Sequence, residues 1–216
     1  MSTRASAAGT EGRQRLAPQS QPQPQPQSLP QQPPLPQEPV VIRGDGLVLR
    51  EWTEADPPRM SELFDDPAVA HFTPLVSPFD LAAARAYLDR LRAARAAGTR
   101  LQLAVTTDGE TPLGEVLIGA LGAERPVGAP TLGYAIGPAH RGLGLALRAT
   151  RLLTAYAHDE LGLPRVCLQI DRENAASIKV ARAAGYRLVE DAEAERVTEK
   201  GRRLVLHTWE HFAGDR

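Results

Sequence analysis

A glycine-rich turn between an apolar strand and a long helical pattern constrains this chain more than any other feature. The strand pattern covers Thr131–Ile136, and the turn reads Gly137-Pro138-Ala139-His140-Arg141-Gly142-Leu143-Gly144-Leu145-Ala146. Glycines two residues apart, followed by alanine, leave the backbone amides of the turn unshielded by side chains. The first N–H groups of a helix lack internal partners and lie at the positive end of its dipole. The segment therefore predicts a phosphate cradle at the start of a helix.

Two other glycine-rich phosphate loops do not fit this segment. A dinucleotide fingerprint needs G-x-G-x-x-G, but the residue three positions after Gly144 is Leu147. A P-loop needs Gly-Lys-Ser/Thr, which is absent here. An ordinary loop before a helix remains an alternative. The segment from Arg141 to Ala146 fits R/Q-x-x-G-x-G/A, and it resembles the pyrophosphate loop of the GNAT superfamily of N-acetyltransferases.

A second motif lies downstream at the distance expected for that family. Asn174-Ala175-Ala176-Ser177-Ile178, followed by Ala184-Gly185-Tyr186, resembles the N-x-x-S-I … G-F/Y segment of the RimJ/RimL-type branch. Residues 49–56 and the closing hairpin pattern are also similar to that branch. The resemblance covers roughly residues 46–212. It implies an α/β GNAT fold, with a mixed, mostly antiparallel central sheet that is splayed at the acetyl-CoA site and flanked by helices.

The resemblance also implies which residues bind acetyl-CoA. The backbone of Ile136 and Gly137 would pair with the pantetheine arm in the gap between two diverging strands. The pyrophosphate would bind the amides of Gly142-Leu143-Gly144-Leu145-Ala146, with additional charge from Arg141. Asn174 would hydrogen-bond the cofactor arm, while a plain helix N-cap is an alternative that does not exclude this role.

Acyl transfer from a thioester to an amine needs a neutral amine, a polarised carbonyl and a stabilised thiolate. Many GNAT enzymes use a tyrosine seven residues after the asparagine, but this chain has Ala181 there. The resemblance to the RimJ/RimL-type branch instead makes Ser177 the catalytic residue that hydrogen-bonds or protonates the departing thiolate. Local backbone bonding in the first turn of a helix is the alternative for Ser177.

The sequence leaves the general base open. Related enzymes often carry glutamate in an E-I/L-G-Y pattern, where this chain has Thr131, which cannot act as a base near neutral pH. A water chain, Glu115 and His140 are the alternatives. We expect Glu115 to be a solvated strand-face residue and His140 a loop residue near the phosphates. Tyr134 and Tyr186 are interpreted as packing residues.

Composition excludes several other classes of protein. A formal net charge of −1 provides no basic surface for nucleic acid or an anionic membrane. No apolar run approaches the roughly 18 residues of a membrane span. The single cysteine, Cys167, allows no internal disulfide and no multi-cysteine zinc site, and we expect no metal.

Residues 1–39 are rich in alternating proline and glutamine, which predicts a disordered tail with polyproline-II character before an acetyltransferase domain at 40–216. The expectation is a soluble cytoplasmic protein.

These features predict an acetyl-CoA-dependent N-acetyltransferase that acts by direct transfer in a ternary complex. The acceptor is a primary amine, either a protein N-terminus or a small molecule such as an antibiotic. An acyl-CoA-binding module with little or no catalysis is the alternative, since the usual tyrosine and glutamate are missing. In a third interpretation, the tail is the active part and the domain is its scaffold. The acceptor, the base, the acyl chain and the oligomeric state, including a homodimer, stay open.

Overall fold

The computed structural model describes residues 35–121, 129–197 and 203–215 of the chain. The strands in these ranges are β1 Val41–Gly44, β2 Leu47–Glu51, β3 Arg100–Thr106, β4 Gly114–Gly119, β5 Thr131–Ile136, β6 Arg165–Asp171, β7 Arg187–Val197 and β8 Arg203–Phe212. The helices are α1 Pro57–Phe64, α2 Pro67–Phe72, α3 Leu81–Ala96, α4 Leu145–Asp159 and α5 Ala175–Ala183, and a 3-10 turn covers Pro138–His140.

The strands form one open sheet with the order β1-β2-β3-β4-β5-β6-β8-β7. Neighbouring strands are antiparallel throughout, except for the parallel pair β5 and β6. A parallel pair needs a crossover connection, and α4 supplies it here. The predicted mixed, mostly antiparallel α/β architecture is confirmed.

The parallel pair β5 and β6 opens into a gap. Only Thr131 with Cys167 and Leu132 with Leu168 are paired across it, although both strands continue for several residues. Beyond these pairs each strand bonds only to its outer neighbour, β4 or β8. The two strands therefore separate towards their carboxyl ends, as the predicted splay requires. The glycine-rich turn follows directly from the carboxyl end of β5.

Helices cover both faces of the sheet, and each face has its own apolar core. Val116 and Ile118 of β4 belong to the core that includes Leu153 of α4. Ala104 and Ala135 point to the opposite face, into the core formed with α1 and α3. That second core includes Met60, Leu63, Phe64, Phe79, Tyr87 and Leu88. Because both faces are covered, alternate residues of the central strands are buried on either side.

A buried ion pair joins the end of β2 to the start of α1. Arg50 donates two hydrogen bonds to the Asp56 carboxylate, at 2.8 and 3.0 Å. Asp56 also accepts from the backbone and hydroxyl of Thr53. Burial alone raises the pKa of Asp56, but the hydrogen bonds from Arg50 and Thr53 lower it overall. Asp56 precedes α1 as expected, yet it holds the preceding turn rather than capping the helix with its side chain.

Two elements differ from the sequence-based expectation. Helix α2 is not predicted by the sequence, because Asp65-Asp66-Pro67 is equally compatible with the end of α1. The same residues start a helix: Asp66 accepts hydrogen bonds from the amides of Ala68 and Val69, and Pro67 occupies the first turn. Strand β7 also continues to Val197, beyond the predicted end at Glu190, with a register irregularity between Leu188 and Glu193.

The described chain begins with packed residues at Leu35, which is buried in the first core, and Arg95 donates to the carbonyls of Pro36 and Glu38. Of the tail predicted at residues 1–39, only residues 35–39 are described, and residues 1–34 lie outside the described residues. The turn that Lys200-Gly201 favours also lies outside them. In the part of the chain that is described, no helix is long and apolar enough to cross a membrane.

Candidate active site

The glycine-rich turn adopts a backbone conformation that requires its glycines. Gly142 and Gly144 have φ angles of +79° and +71°, in the left-handed region that L side chains rarely adopt. A Cβ atom at either position would meet no protein atom within 4 Å. The amides of the turn are therefore bordered by open space, which is what close approach of a phosphate requires.

Helix α4 begins directly at this open space. Gly144 occupies its N-cap position and has no side chain to bond the first amides, and no acidic residue lies in the first turn. An incoming anion is the natural partner for these N–H groups and for the positive end of the helix dipole. The segment from Leu145 onward packs on the sheet through buried Leu145, Ala149 and Leu153, so the amide cluster is fixed in place.

The Arg141 side chain is bonded to two other groups of the protein. Its Nε donates to the carbonyl oxygen of Ile136 at 3.1 Å, and its Nη2 lies 2.6 Å from Asp66 Oδ1. The carboxylate that caps α2 thus neutralises part of the arginine charge beside the glycine-rich turn. Arg141 joins the turn to α2, a role that the sequence analysis did not predict.

A first cavity of about 430 Å³ lies between the glycine-rich turn, α2 and α5. Eight of the ten predicted site residues line it: Ile136, Arg141, Gly142, Gly144, Leu145, Ala146, Asn174 and Ser177. Gly137 and Leu143 do not line it. The Leu143 side chain is instead 63% exposed, so only its backbone is available for the predicted contact.

The backbone groups predicted to hold the pantetheine arm are partly occupied. Besides the Ile136 carbonyl, which accepts from Arg141, the Gly137 amide donates to Leu113 and the Gly137 carbonyl accepts from His140. A Cβ at Gly137 would lie 2.3 Å from the Leu63 side chain, so this glycine is required by packing against α1. The unpaired edge of β5 lies earlier in the strand, beyond Leu132.

A second cavity, of about 570 Å³, lies on the other side of the gap, beneath α3 and the segment that follows α2. Its lining includes Thr131, Gly133, Glu115, Asp171 and Arg100. The two cavities share six lining residues: Phe72, Thr73, Tyr134, Ala135, Asn174 and Ser177. We call these six residues the junction.

Polar groups at the junction lack partners in the described part of the chain. Asn174 caps α5 by accepting from the Ser177 amide at 3.0 Å, which confirms the N-cap interpretation and leaves its amide N–H groups unbonded. The Ser177 hydroxyl lies beside the Tyr134 hydroxyl without forming a hydrogen bond to it. The Tyr134 hydroxyl is buried and also unbonded. A ligand that spans the junction would satisfy all three groups.

Tyr134 packs against the first core, as interpreted, and it also lines the junction. Burial raises its pKa to about 12, although the nearby Ser177 hydroxyl lowers the pKa in part. The phenol is therefore a donor at neutral pH. Tyr186 is a packing residue as expected, since its hydroxyl is buried and bonded to Thr154 at 2.7 Å.

Glu115 is not the solvated residue that its position in an alternating strand predicted. It is 3% exposed, and it lines the second cavity. Its carboxylate accepts from the Tyr87 hydroxyl at 3.0 Å and from Gln102 Nε2 at 2.6 Å. The prediction failed because helix α3 covers the sheet face that the strand alone suggests is open to water.

The histidines do not occupy the second cavity. His140 lines the first cavity, and its Nε2 lies 2.8 Å from Arg59 Nη2. Since an arginine only donates, the Nε2 lone pair of His140 is already used, which argues against His140 as a base. His71 and His207 are not among the residues that line either cavity, and His207 pairs with Glu193 on the neighbouring strand.

Comparison with protein families identifies the domain. Residues 46–187 match the family model described as an acetyltransferase (GNAT) domain. The chain belongs to the GNAT acetyltransferase family. Members of this family use acetyl-CoA, and the open amides of the glycine-rich turn and the unbonded groups at the junction fit such a ligand. No group of three potential metal ligands is found among the described residues of this acetyltransferase.

Solved GNAT structures share the fold at low sequence identity. RimJ from Mycobacterium smegmatis, in complex with a CoA disulfide, superposes with a TM-score of 0.68 at 19% identity, covering 81% of this chain and 87% of that one. The ribosomal-protein-S5-alanine acetyltransferase from Vibrio fischeri gives 0.67 at 19%, covering 82% and 98%. RimL, a ribosomal L7/L12 α-N-protein acetyltransferase in complex with coenzyme A, gives 0.67 at 14%, covering 82% and 100%. No curated protein sequence matches this GNAT acetyltransferase.

Proposed function

We propose that this GNAT protein transfers an acetyl group from acetyl-CoA to a primary amine by direct transfer in a ternary complex. The observation that carries the proposal is the junction. One cavity holds the anion-binding turn, the other holds a buried carboxylate, and the two meet at the unbonded groups of Ser177, Tyr134 and Asn174. Two substrates can therefore occupy separate cavities and react where those cavities join.

The anion-binding side accounts for acetyl-CoA. The amides from Gly142 to Ala146 would bind the diphosphate, with the positive end of the α4 dipole behind them. The unpaired edge of β5 beyond Leu132 offers backbone groups to the pantetheine arm, which would direct the thioester to the junction. When bound, acetyl-CoA supplies the activated acetyl group, and the protein positions it.

At the junction, Ser177 is the proposed catalytic residue. Its hydroxyl lies beside the Tyr134 hydroxyl without a hydrogen bond to it, and Ser177 lies in the first turn of α5 and lines both cavities. It would donate a hydrogen bond or a proton to the departing sulfur. Tyr134 and the Asn174 amide are further donors for the polar atoms of the thioester and the arm.

The acceptor belongs in the second cavity. Its volume of about 570 Å³ suits a small amine or the first residues of a protein chain. The similarity to RimJ and to ribosomal-protein acetyltransferases favours a protein N-terminus. A small-molecule amine is the second candidate, since the cavity volume also suits one.

The test has two steps. Calorimetric titration with acetyl-CoA should give saturable binding, and CoA release should then be followed across small amines and N-terminal peptides, with mass spectrometry of the product. Release with one acceptor class, and an acetylated product, would establish the reaction. Binding without release from a broad amine panel would favour the binding module, and no binding would contradict the assignment of the turn.

A further inference from the structure

Glu115 lies in a polar cluster that is enclosed by apolar residues. The Tyr87 hydroxyl donates to Glu115 Oε1, with a second contact to Oε2 at 3.2 Å. Gln102 Nε2 donates to Glu115 Oε2 and also contacts the Tyr87 hydroxyl. All three side chains are buried, with 3 to 6% of their surface exposed. The cluster therefore holds one carboxylate in a fixed orientation, away from bulk water.

The cluster lacks the features of a purely structural ion pair. Burial of a carboxylate is costly unless a cation pairs with it. No described arginine, lysine or histidine lies within ion-pair distance of Glu115. Arg100 is the nearby cation, and it acts only through its field. The Gln102 Oε1 atom is also buried without a hydrogen-bond partner. The Glu115 carboxylate, which lines the second cavity, is thus left for a cationic group that only donates.

An alkylammonium ion is such a group. It carries three N–H donors and a positive charge, so it can donate to the carboxylate and compensate its buried charge. The second cavity reaches Glu115 and also reaches Ser177 at the junction. An acceptor amine that enters this cavity would meet the carboxylate on the sheet face that faces α3.

We propose that Glu115 is the general base of this acetyltransferase, which takes a proton from the acceptor ammonium. The inference rests on the proposed function. The carboxylate accepts one proton from R–NH3⁺ and becomes a carboxylic acid, which leaves a neutral amine. The nitrogen lone pair then forms the N–C bond to the acetyl carbon, and the C–S pair leaves with sulfur. Ser177 gives its proton to sulfur and regains one from the nitrogen, and Glu115 releases its proton to water.

The surroundings of Glu115 bring the pKa of its carboxyl group close to neutral pH. Burial raises its pKa to about 7, and the hydrogen bonds from Gln102 and Tyr87, with the charge of Arg100, limit the rise. Tyr87 itself stays protonated, because burial and the neighbouring Glu115 raise its pKa. The other charged residues that line the cavity are Arg90 on α3 and Asp171 on β6. A base with a pKa near the working pH combines adequate ionisation with adequate proton affinity.

The test compares Glu115→Gln with the wild-type protein on two kinds of acceptor. For an alkylamine, which is protonated at pH 7, the substitution should lower kcat/KM about 100-fold or more. For hydroxylamine or an aniline, which are already neutral at pH 7, the loss should be less than about 10-fold, because no proton has to be removed before attack. Affinity for acetyl-CoA, measured by calorimetry, should be unchanged, since Glu115 does not line the first cavity.

The pH profile separates a base from a structural residue. With the alkylamine, wild-type kcat/KM should fall below an apparent pKa near 7, and Glu115→Gln should lose this limb and follow the fraction of free amine instead. Glu115→Asp should retain the limb at a reduced rate. Glu110→Gln is the matched control, because that side chain is exposed on the β3–β4 connection and only its backbone carbonyl bonds to Arg50.

Two results would overturn the inference in different ways. If Glu115→Gln acetylates alkylamines at the wild-type rate with the wild-type pH profile, Glu115 is not the base and the proposed function stands. Equal losses for protonated and neutral acceptors would show a structural role and would also overturn the inference. If the wild-type protein binds acetyl-CoA but acetylates no amine, the proposed function itself fails.

Discussion

Asp66 and Arg141 form an ion pair of 2.6 Å that joins helix α2 to the glycine-rich turn. Asp66 Oδ1 also accepts from the amides of Ala68 and Val69, so one carboxylate caps α2 and holds the arginine. Burial alone raises the pKa of Asp66, but Arg141 and the backbone amides lower it overall. The wall of the first cavity that α2 forms is therefore coupled to the glycine-rich turn.

Because Asp66 neutralises much of its charge, Arg141 should contribute little to acetyl-CoA binding. We expect Arg141→Ala to weaken acetyl-CoA affinity by less than about 10-fold, or about 1.4 kcal/mol, in calorimetric titrations. Arg92→Ala, which removes another arginine–carboxylate pair far from the cavities, is the control and should leave affinity unchanged. A loss above about 100-fold would mean that Arg141 leaves Asp66 and binds the ligand directly.

The open amides at the start of α4 should dominate acetyl-CoA binding instead. Gly144→Glu places a side chain and a negative charge over those amides, so binding should fall by more than about 100-fold. Gly162→Glu is the matched control, because Gly162 also has a positive φ, of +61°, with no atom within 4 Å of a Cβ. Both variants should lose about 1 kcal/mol of stability to backbone strain. Equal acetyl-CoA affinity in the two variants would refute the anion site.

Ser177 should affect turnover rather than binding. We expect Ser177→Ala to lower kcat about 10- to 100-fold with little change in acetyl-CoA affinity, because its hydroxyl acts when the C–S bond breaks. The Ser177 amide keeps its bond to Asn174 in this variant, so α5 should stay capped. Unchanged kcat would remove Ser177 from the mechanism. A matching loss of affinity would show that it serves binding.

Tyr134 should show opposite effects on stability and activity. Its hydroxyl is buried without a hydrogen-bond partner in the described part of the chain, and such a group costs about 1 kcal/mol or more in the free protein. We expect Tyr134→Phe to raise the free energy of unfolding by roughly that amount in denaturant titrations. The same variant should lower kcat/KM, because the hydroxyl finds its partner only when the thioester is bound. Lower stability would indicate a bond to the neighbouring Ser177 in the free protein.

The glycine-rich turn was predictable from the sequence because its conformation depends on local backbone geometry. Glycine at 142 and 144 permits a left-handed backbone, and the following helix supplies the amides. Ser177 and Asn174 were identified from the resemblance to a family motif, and both lie at the start of α5.

The second cavity was not predictable because its lining depends on contacts between distant segments. Glu115 is buried by Tyr87, which lies 28 positions earlier in the chain, and strand alternation alone suggested exposure. Helix α2 was missed because an Asp-Pro pair is compatible with both the end and the start of a helix. Tyr134 lies at the junction because β5 and β6 separate. The sequence of β5 alone does not predict that separation.

Because Glu115 is buried, we also expect the stability of the protein to depend on pH, which can be tested without a substrate. Its pKa rises from 4.5 when unfolded to about 7 when folded, so between these values the folded state binds more protons. Stability therefore decreases as pH rises through this window, and the cost is complete above about pH 7. Between pH 5 and pH 8 the wild-type protein should lose roughly 2 to 3 kcal/mol through this group. Glu115→Gln should lack that loss, so the difference in unfolding free energy between the two proteins should shift by the same amount across this range. If chemical denaturation shows the same pH dependence for both proteins, the Glu115 carboxylate is not held in a desolvated site.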